Sequence, residues 1–350
     1  MRIAIVTTLA PFTQGGAEYL AAHLAQACRV AGHQVELRTY PFFDRSPDTI
    51  LSCLASCQQD DFFMWGDQRP DLVICLKFPA FYVQHECKVM WILHQHRSVY
   101  DLWDFVAEQG HVHSAEEIAL REKIIASDNA IFSSALQNFT ISHTVSKRLQ
   151  QFNHIDSTPL YHPPAFANAI LHHPGASETG DFIFAPSRFE PLKRQHLLLE
   201  ALRLTKHPVK AVLCGSGSHE HHLRNFVTHY KLQSRVTIHS HLSEQALVEH
   251  YKQCLAVFFA PYDEDYGYVT LEAMLAGKAV ISCSDSGGTN EFILPGETGF
   301  IEPPSPEALA ERLDELFINR ALANTMGVKA AAHYQSFSFS WEHVVDQLLY

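Results

Sequence analysis

The feature that most limits the fold of this chain is a repeated alternation. A short apolar run, a glycine turn, a helix-period segment and a second apolar run occur near the start and again after residue 180. Apolar runs separated by helices form parallel strands joined by right-handed crossovers, because a tight hairpin cannot connect them. Arg2–Thr7 reads as the first strand, Gly15-Gly16 as a turn, Ala17–Ala31 as a helix stopped by Gly32, and His33–Arg38 as the second strand. Further strands are expected over Asp71–Cys75, Lys88–Leu93, Asn129–Ser133 and Phe139–Val145, with a helical Asp101–Ser127 among them. Leu160–Gly180, rich in Pro, His, Gly and Ser, reads as a linker.

Beyond the linker the alternation is stricter. Strands are expected at Asp181–Pro186, Lys210–Cys214, Val236–His239, Ala256–Pro261 and Ala279–Cys283. Helices are expected at Gln195–Leu204, His219–Tyr230, Leu247–Gln253, Val269–Ala276, Pro306–Phe317 and, as an amphipathic tail, Trp341–Leu349. A chain of 350 residues suits two cores rather than one. The expected fold is α/β, with two Rossmann-like parallel-sheet domains over residues 1–165 and 166–335 and a terminal helix over 336–350. Ligands of open α/β sheets bind outside the carboxyl ends of the strands, so a cleft between two facing domains is the expected site.

The net charge of −12 excludes the basic footprint of a polynucleotide binder. No segment approaches the roughly 18 consecutive apolar residues of a membrane span, and the first residues read directly as a strand rather than a secretory leader. The eight cysteines are scattered, several within apolar runs such as those of Cys75 and Cys214, and read as buried hydrophobes of a reducing compartment. Cys53 and Cys57 have no second pair to complete a zinc site. A cytoplasmic protein is expected, with contact at the cytoplasmic face of a membrane left open, and the oligomeric state is not specified.

The chemistry concentrates in Tyr262–Gly277, where Glu264 and Glu272 are separated by seven residues. An isolated pair at this spacing is usually a solvated loop and helix. Here it flanks a strand–loop–glycine–helix junction. The free backbone N–H groups of Gly267, Tyr268 and Val269 at the helix start suit a phosphate. Glu272, one turn further, is placed to reach hydroxyls of the same ligand, and Glu264 points into the same space from the loop. Arg188 and Lys193, five apart after a buried strand, are cations placed to clamp a diphosphate. Gly16 lets the backbone approach a ligand closely. Gly215-Ser216-Gly217 follows another strand, and His94 ends an apolar one, with His96 and Arg97 beside it. His219–His222 resembles a metal tract, but a helix spreads such residues around its cylinder. Asp263-Glu264-Asp265 has the form of a metal-binding Asp-x-Asp, and its place within the Glu-x7-Glu context argues against that role.

Glu-x7-Glu, the small-residue helix, Gly287-Gly288-Thr289-Asn290-Glu291 and Gly296-Glu297-Thr298-Gly299 occur in that order. This run resembles the signature region of the retaining glycosyltransferase family 4, strongest over residues 181–312. The resemblance implies the GT-B fold with a C-terminal helix crossing back to the first domain. It implies a hexosyltransferase using a nucleotide-diphosphate sugar, a UDP-sugar or GDP-mannose, with a glycan, lipid-linked or small-molecule acceptor and no metal or other cofactor. Arg188 and Lys193 would neutralise the leaving diphosphate, Glu272 would hold the ribose, and Glu264 would hold the transferred sugar. Gly16 and His94 would contact the donor, Gly215 would lie near the nucleotide, and His96 and Arg97 are candidates for the acceptor. Arg194 stands where the family commonly has Gly, and His162-Pro163-Pro164 where many members have an Asn-Gly turn. Two other readings are carried alongside: a nucleotide-sugar epimerase of similar fold, and a non-catalytic subunit that binds a sugar nucleotide.

Overall fold

The computed structural model describes residues 1–9, 15–173 and 180–350. Two compact units divide the chain, Met1–His162 with Phe339–Tyr350, and Pro163–Ser338.

The first unit is built on a six-stranded parallel sheet: β1 (Arg2–Leu9), β2 (Gln34–Pro41), β3 (Leu72–Cys75), β4 (Lys88–Ile92), β5 (Gln137–Thr140) and β6 (Thr158–Pro159), in the order β2-β1-β3-β4-β5-β6. Its central strands are buried throughout, which is why they read as unbroken apolar runs rather than alternating ones. Asn129–Ser133 is not a strand. It lies in the helix Ala115–Ser134, which a capping box between Ser114 and Glu117 starts and which continues through the apolar Ile131-Phe132. A short apolar run fits a buried strand or a buried helix turn equally well, and here Phe132 is a core contact of the helix. Phe139–Val145 is likewise shorter as a strand than expected: β5 ends at Thr140, and Ser142 caps a helix over His143–Asn153. The helix Pro47–Gln59, capped by Ser46, had no counterpart in the sequence reading.

The terminal helix Trp341–Leu349 belongs to this first unit, packing against Gly16–Val30 through buried Val344, Val345 and Leu348. His162 lies beneath it, wholly buried, with its ring 5.2 Å from that of Trp91 and 5.6 Å from that of Trp341. Burial first, and the neighbouring His23 second, push the imidazole pKa down to about 3. From the unfolded value near 6.5 down to about 3 the unfolded chain therefore binds a proton that the folded one refuses, so this group's contribution to stability falls as the pH falls. His162→Phe is expected to gain on the wild type by about 2 kcal/mol between about pH 7 and pH 5. Asp128 and Glu272, which burial holds near a pKa of about 7, tilt the whole profile the other way and cancel in the difference. Urea unfolding of both proteins at the two pH values measures it, and parallel profiles would contradict it.

The second unit carries β7 (Phe182–Pro186), β8 (Lys210–Cys214), β9 (Val236–His239), β10 (Ala256–Phe258), β11 (Val280–Cys283) and β12 (Gly299–Glu302), again all parallel, in the order β12-β11-β10-β7-β8-β9. This is the doubly wound order. The chain leaves β7 toward one edge and, from β10, runs toward the other, so the loops after these two adjacent strands diverge at a switch point. Leu198 and Leu202 from one helix, Leu309 and Leu313 from another, and Leu213 and Ile281 from the strands share one core on this sheet. The helix Ala167–His172 interrupts the stretch expected to be linker. A further helix, Arg320–Ser336, had not been expected.

Candidate functional site

Three loops meet at the carboxyl end of the second sheet. The loop after β7 carries Arg188 and Lys193, the loop after β10 carries Glu264, and the loop after β11 carries Asp285 and Gly287. Tyr262 donates its backbone N–H to the Leu192 carbonyl at 2.7 Å, which ties the first two together. Lys193 Nζ lies 2.5 Å from Glu264 Oε2, with both side chains mostly shielded from solvent. Arg188, by contrast, is exposed, and its side chain makes no ion pair among the described residues. The two expected clamp cations thus differ: one is open to an anion and the other is engaged by a carboxylate.

Glu264 is held by its backbone as firmly as a strand residue. Its N–H donates to the Ser286 carbonyl at 3.2 Å, and its carbonyl accepts from the Gly288 N–H at 2.7 Å. Gly287 forms a parallel bridge with it, at φ 62° and ψ −132°, a conformation that side chains disfavour. The Gly-Gly element of the motif therefore positions the first glutamate of the Glu-x7-Glu element. Gly267, at φ 94°, turns the chain into the helix Tyr268–Leu275, and a Cβ there would stand 2.5 Å from Thr289 Oγ1. The resulting helix start has no side-chain cap. The N–H groups of Gly267 and Val269 make no hydrogen bond among the described residues and remain suited to an anion. Gly215 brings the loop after β8 against the loop of Arg188, since a Cβ would meet the Ser187 carbonyl oxygen at 2.0 Å.

Glu272 is only 4% exposed. Its Oε2 accepts from the Tyr251 hydroxyl at 2.7 Å, and burial raises its pKa to about 7 against the lowering effects of that bond and of the Phe166 backbone. From the sequence alone this carboxylate is expected to be open to ligand hydroxyls. In the structure a ligand hydroxyl must share it with Tyr251, a partner 21 residues away that no local pattern indicates.

Arg194 is the residue whose role the sequence reading missed. It adopts the left-handed conformation, φ 51°, that explains why glycine would also fit there. Its guanidinium pairs with both carboxylate oxygens of Asp285 at 2.6 and 2.7 Å and donates to the carbonyls of Ala260 and Pro261 at 2.9 Å. One side chain thus fastens all three loops. Arg194→Ala is expected to cost about 2 kcal/mol of stability, because two carbonyls and a partly shielded carboxylate lose their donor. Arg194→Lys should recover little of it, since an ammonium cannot reproduce the planar fork. Denaturant titration of both variants checks this, and a lysine variant as stable as wild type would contradict it.

Gly16, His94, His96 and Arg97 lie in the first unit. Gly16 opens the helix Gly16–Val30 beyond β1, with extended Gly15 as its uncapped N-terminal boundary. His94 follows β4, half-buried, with Nδ1 2.6 Å from the Gln95 carbonyl oxygen. The two acceptor candidates are otherwise engaged. His96 is buried, stacked on Phe78 at 4.8 Å and edge-on to Phe42, and desolvation lowers its pKa. Arg97 donates to Asp101 at 2.7 Å. An apolar strand end followed by His-Gln-His-Arg gave no signal separating the accessible histidine from the packed one.

A doubly wound first unit followed by a doubly wound second unit, with a terminal helix returned to the first, defines the GT-B class of fold. Within it, residues 169–333 match the family model described as glycosyl transferases group 1. The human alpha-1,3/1,6-mannosyltransferase is 30% identical over 178 residues, 46% of this chain and 42% of that protein. The chain spans between 42% and 48% of the length of the first such curated relatives. Sucrose-phosphate synthase from Thermosynechococcus elongatus has the same fold, with a TM-score of 0.76 at 21% identity, over 99% of this chain and 96% of that one. So does Anabaena HepE, solved with UDP and glucose, with a TM-score of 0.73 at 15% identity over 100% and 99% of the two chains. Among the described residues no helix is long and apolar enough to cross a membrane.

Proposed function

We propose that this chain is a glycosyltransferase that moves a hexosyl group from a nucleoside-diphosphate sugar, a UDP-sugar or GDP-mannose, to a hydroxyl of a glycan, lipid-linked or small-molecule acceptor. The transfer retains the anomeric configuration and uses no metal. The observation that carries the reading is the Lys193–Glu264 pair at the switch point of the second sheet, with exposed Arg188 on the same loop as Lys193. The group 1 match over this unit, the mannosyltransferase name of a relative, and the UDP and glucose bound to a protein of the same fold support it.

In this reading the diphosphate displaces Glu264 from Lys193 and is met by Arg188 and by the amides of Gly267 and Val269. The bond between the anomeric carbon and the diphosphate oxygen breaks, and the electron pair leaves with the diphosphate. The acceptor oxygen bonds to the same face of that carbon, and its proton passes to the departing diphosphate. Lys193 and Arg188 stabilise the charge growing on the leaving group, a role worth about 3 kcal/mol for a well-placed donor. Glu264, freed from Lys193, faces the positive charge developing at the sugar ring. Glu272 and Tyr251 together offer a carboxylate and a hydroxyl to the ribose. The neutral-to-anionic change of a carboxyl held near a pKa of about 7 makes that contact sensitive to pH near neutrality.

The test is proton NMR of the enzyme with UDP-glucose or GDP-mannose, using water as the default acceptor. Nucleoside diphosphate release with the α-anomer appearing first supports retention. First appearance of the β-anomer contradicts it, and a sugar of altered configuration still attached to nucleotide marks an epimerase instead.

A further inference from the structure

Histidines 111 and 113 lie in the first unit, between the helix Trp103–Glu108 and the helix Ala115–Ser134. Together with Glu117, in the first turn of the second helix, they place one ligand atom each within 4.8 Å of one another. They form part of the wall of a cavity of 430 Å³ that Arg45, His96 and Trp103 also line. None of the three belongs to the proposed donor site.

The hydrogen bonds around the cluster orient its side chains and, at His113, select the tautomer that binds a metal. His113 stacks on Trp103, with ring centroids 3.5 Å apart and planes 6° from parallel, which fixes its orientation. Its Nε2 lies 3.0 Å from the Trp103 carbonyl oxygen, a group that only accepts, so Nε2 carries the proton. The lone pair is then on Nδ1, which is buried and has no hydrogen-bond partner. A histidine that gives one ring N–H to a backbone carbonyl and keeps the other nitrogen bare is the arrangement that orients metal-bound imidazole. Glu117 Oε2 accepts from the Ser114 N–H at 2.7 Å, and Oε1 lies 3.2 Å from His111 Nε2. The carboxylate is thus anchored by one oxygen and offers the other beside His111. His111 itself is held in place by its backbone N–H, which donates to the Val106 carbonyl at 3.0 Å.

We propose that His111 Nε2, His113 Nδ1 and a Glu117 oxygen form a binding site for a divalent transition metal of the zinc type. Two imidazoles and one carboxylate suit zinc and its neighbours, whereas magnesium and calcium take oxygen ligands. Three protein ligands leave a fourth tetrahedral position for water or a ligand oxygen. Binding expels to solvent the Nε2 proton that His111 directs at Glu117 and ties the 111–113 segment to the start of the long helix. The site is separate from the metal-independent transfer proposed above and takes no part in its steps.

The experiment is calorimetric titration of untagged, chelator-treated protein with ZnCl2, with the unfolding midpoint followed in parallel. The expected result is one equivalent bound at micromolar or tighter Kd, with the midpoint rising by about 5 °C at a hundredfold excess over Kd. His111→Asn changes a half-exposed side chain, and Glu117→Gln keeps an oxygen for the Ser114 N–H, so both variants should fold, as circular dichroism would verify. Both should bind that equivalent at least tenfold more weakly. No saturable binding to the wild type, or a loss of less than tenfold in either variant, overturns the proposal and assigns any bound zinc to other histidines.

Discussion

Lys193→Ala should lower turnover by about 10²- to 10³-fold while leaving the fold intact. The physical reason is the double use of this ammonium. In the structure it neutralises Glu264 at 2.5 Å. In the proposed reaction it moves to the diphosphate, where charge develops as the glycosidic bond breaks. Alanine removes the stabilisation of the leaving group and leaves an anionic Glu264 facing the incoming diphosphate with no counter-charge. Both effects raise the barrier, and the second also weakens donor binding. Glu264→Gln provides the contrast. It frees Lys193 for the phosphate and removes the repulsion, so nucleotide affinity should hold or improve while turnover still falls. Steady-state kinetics with nucleotide titrations of both variants separate the two effects. Equal loss of nucleotide affinity in the two variants would contradict the exchange of partners.

Gly287→Ala carries the largest expected effect on stability, about 4 kcal/mol. The backbone there has φ 62° and ψ −132°, and an added Cβ would stand 2.6 Å from the Glu264 carbonyl oxygen and 2.7 Å from its nitrogen. The strained conformation costs about 1–3 kcal/mol, and the forced contact with backbone, which cannot swing aside as a side chain can, adds about 1–3 kcal/mol more. Relief can come only by parting the loop after β11 from the loop after β10, which displaces Glu264. The variant should therefore lose activity even below the temperature at which it unfolds. Thermal unfolding combined with activity at low temperature tests both parts. A variant that loses stability and keeps full activity would show that the Gly287 contact does not position Glu264.

These two cases show what a linear sequence conveys and what it withholds. Much of the second unit was legible because its central strands β7, β10 and β11 are buried apolar runs and helices such as Gln195–Leu204 carry an apolar face, whereas β12 and the helices Ala167–His172 and Arg320–Ser336 gave no comparable local pattern. The first unit was less so. Ile131-Phe132 packs from a helix as well as from a strand, and only the capping of Ser114, well upstream, decides between them. At the site, residue types were legible and pairings were not. Lys193 and Glu264 were each assigned to a ligand, but their contact spans 71 residues of sequence and depends on β7 lying beside β10. Arg194 read as a tolerated departure from glycine, yet its bond to Asp285 crosses 91 residues and fastens the loops that carry both. The Glu272 carboxylate was seen, whereas the Tyr251 hydroxyl that shares it was not.

The central claim is that the carboxyl end of the second sheet binds a nucleoside diphosphate without metal. Isothermal titration of the protein with UDP, GDP and ADP, in the presence of EDTA, tests it most directly, since the chelator removes any contribution from the His111–His113–Glu117 cluster. Saturable binding of one of the three in the micromolar range, weakened at least tenfold by Arg188→Ala, is the predicted result. Folded protein that binds none of them, or binds one equally well without Arg188, would contradict it.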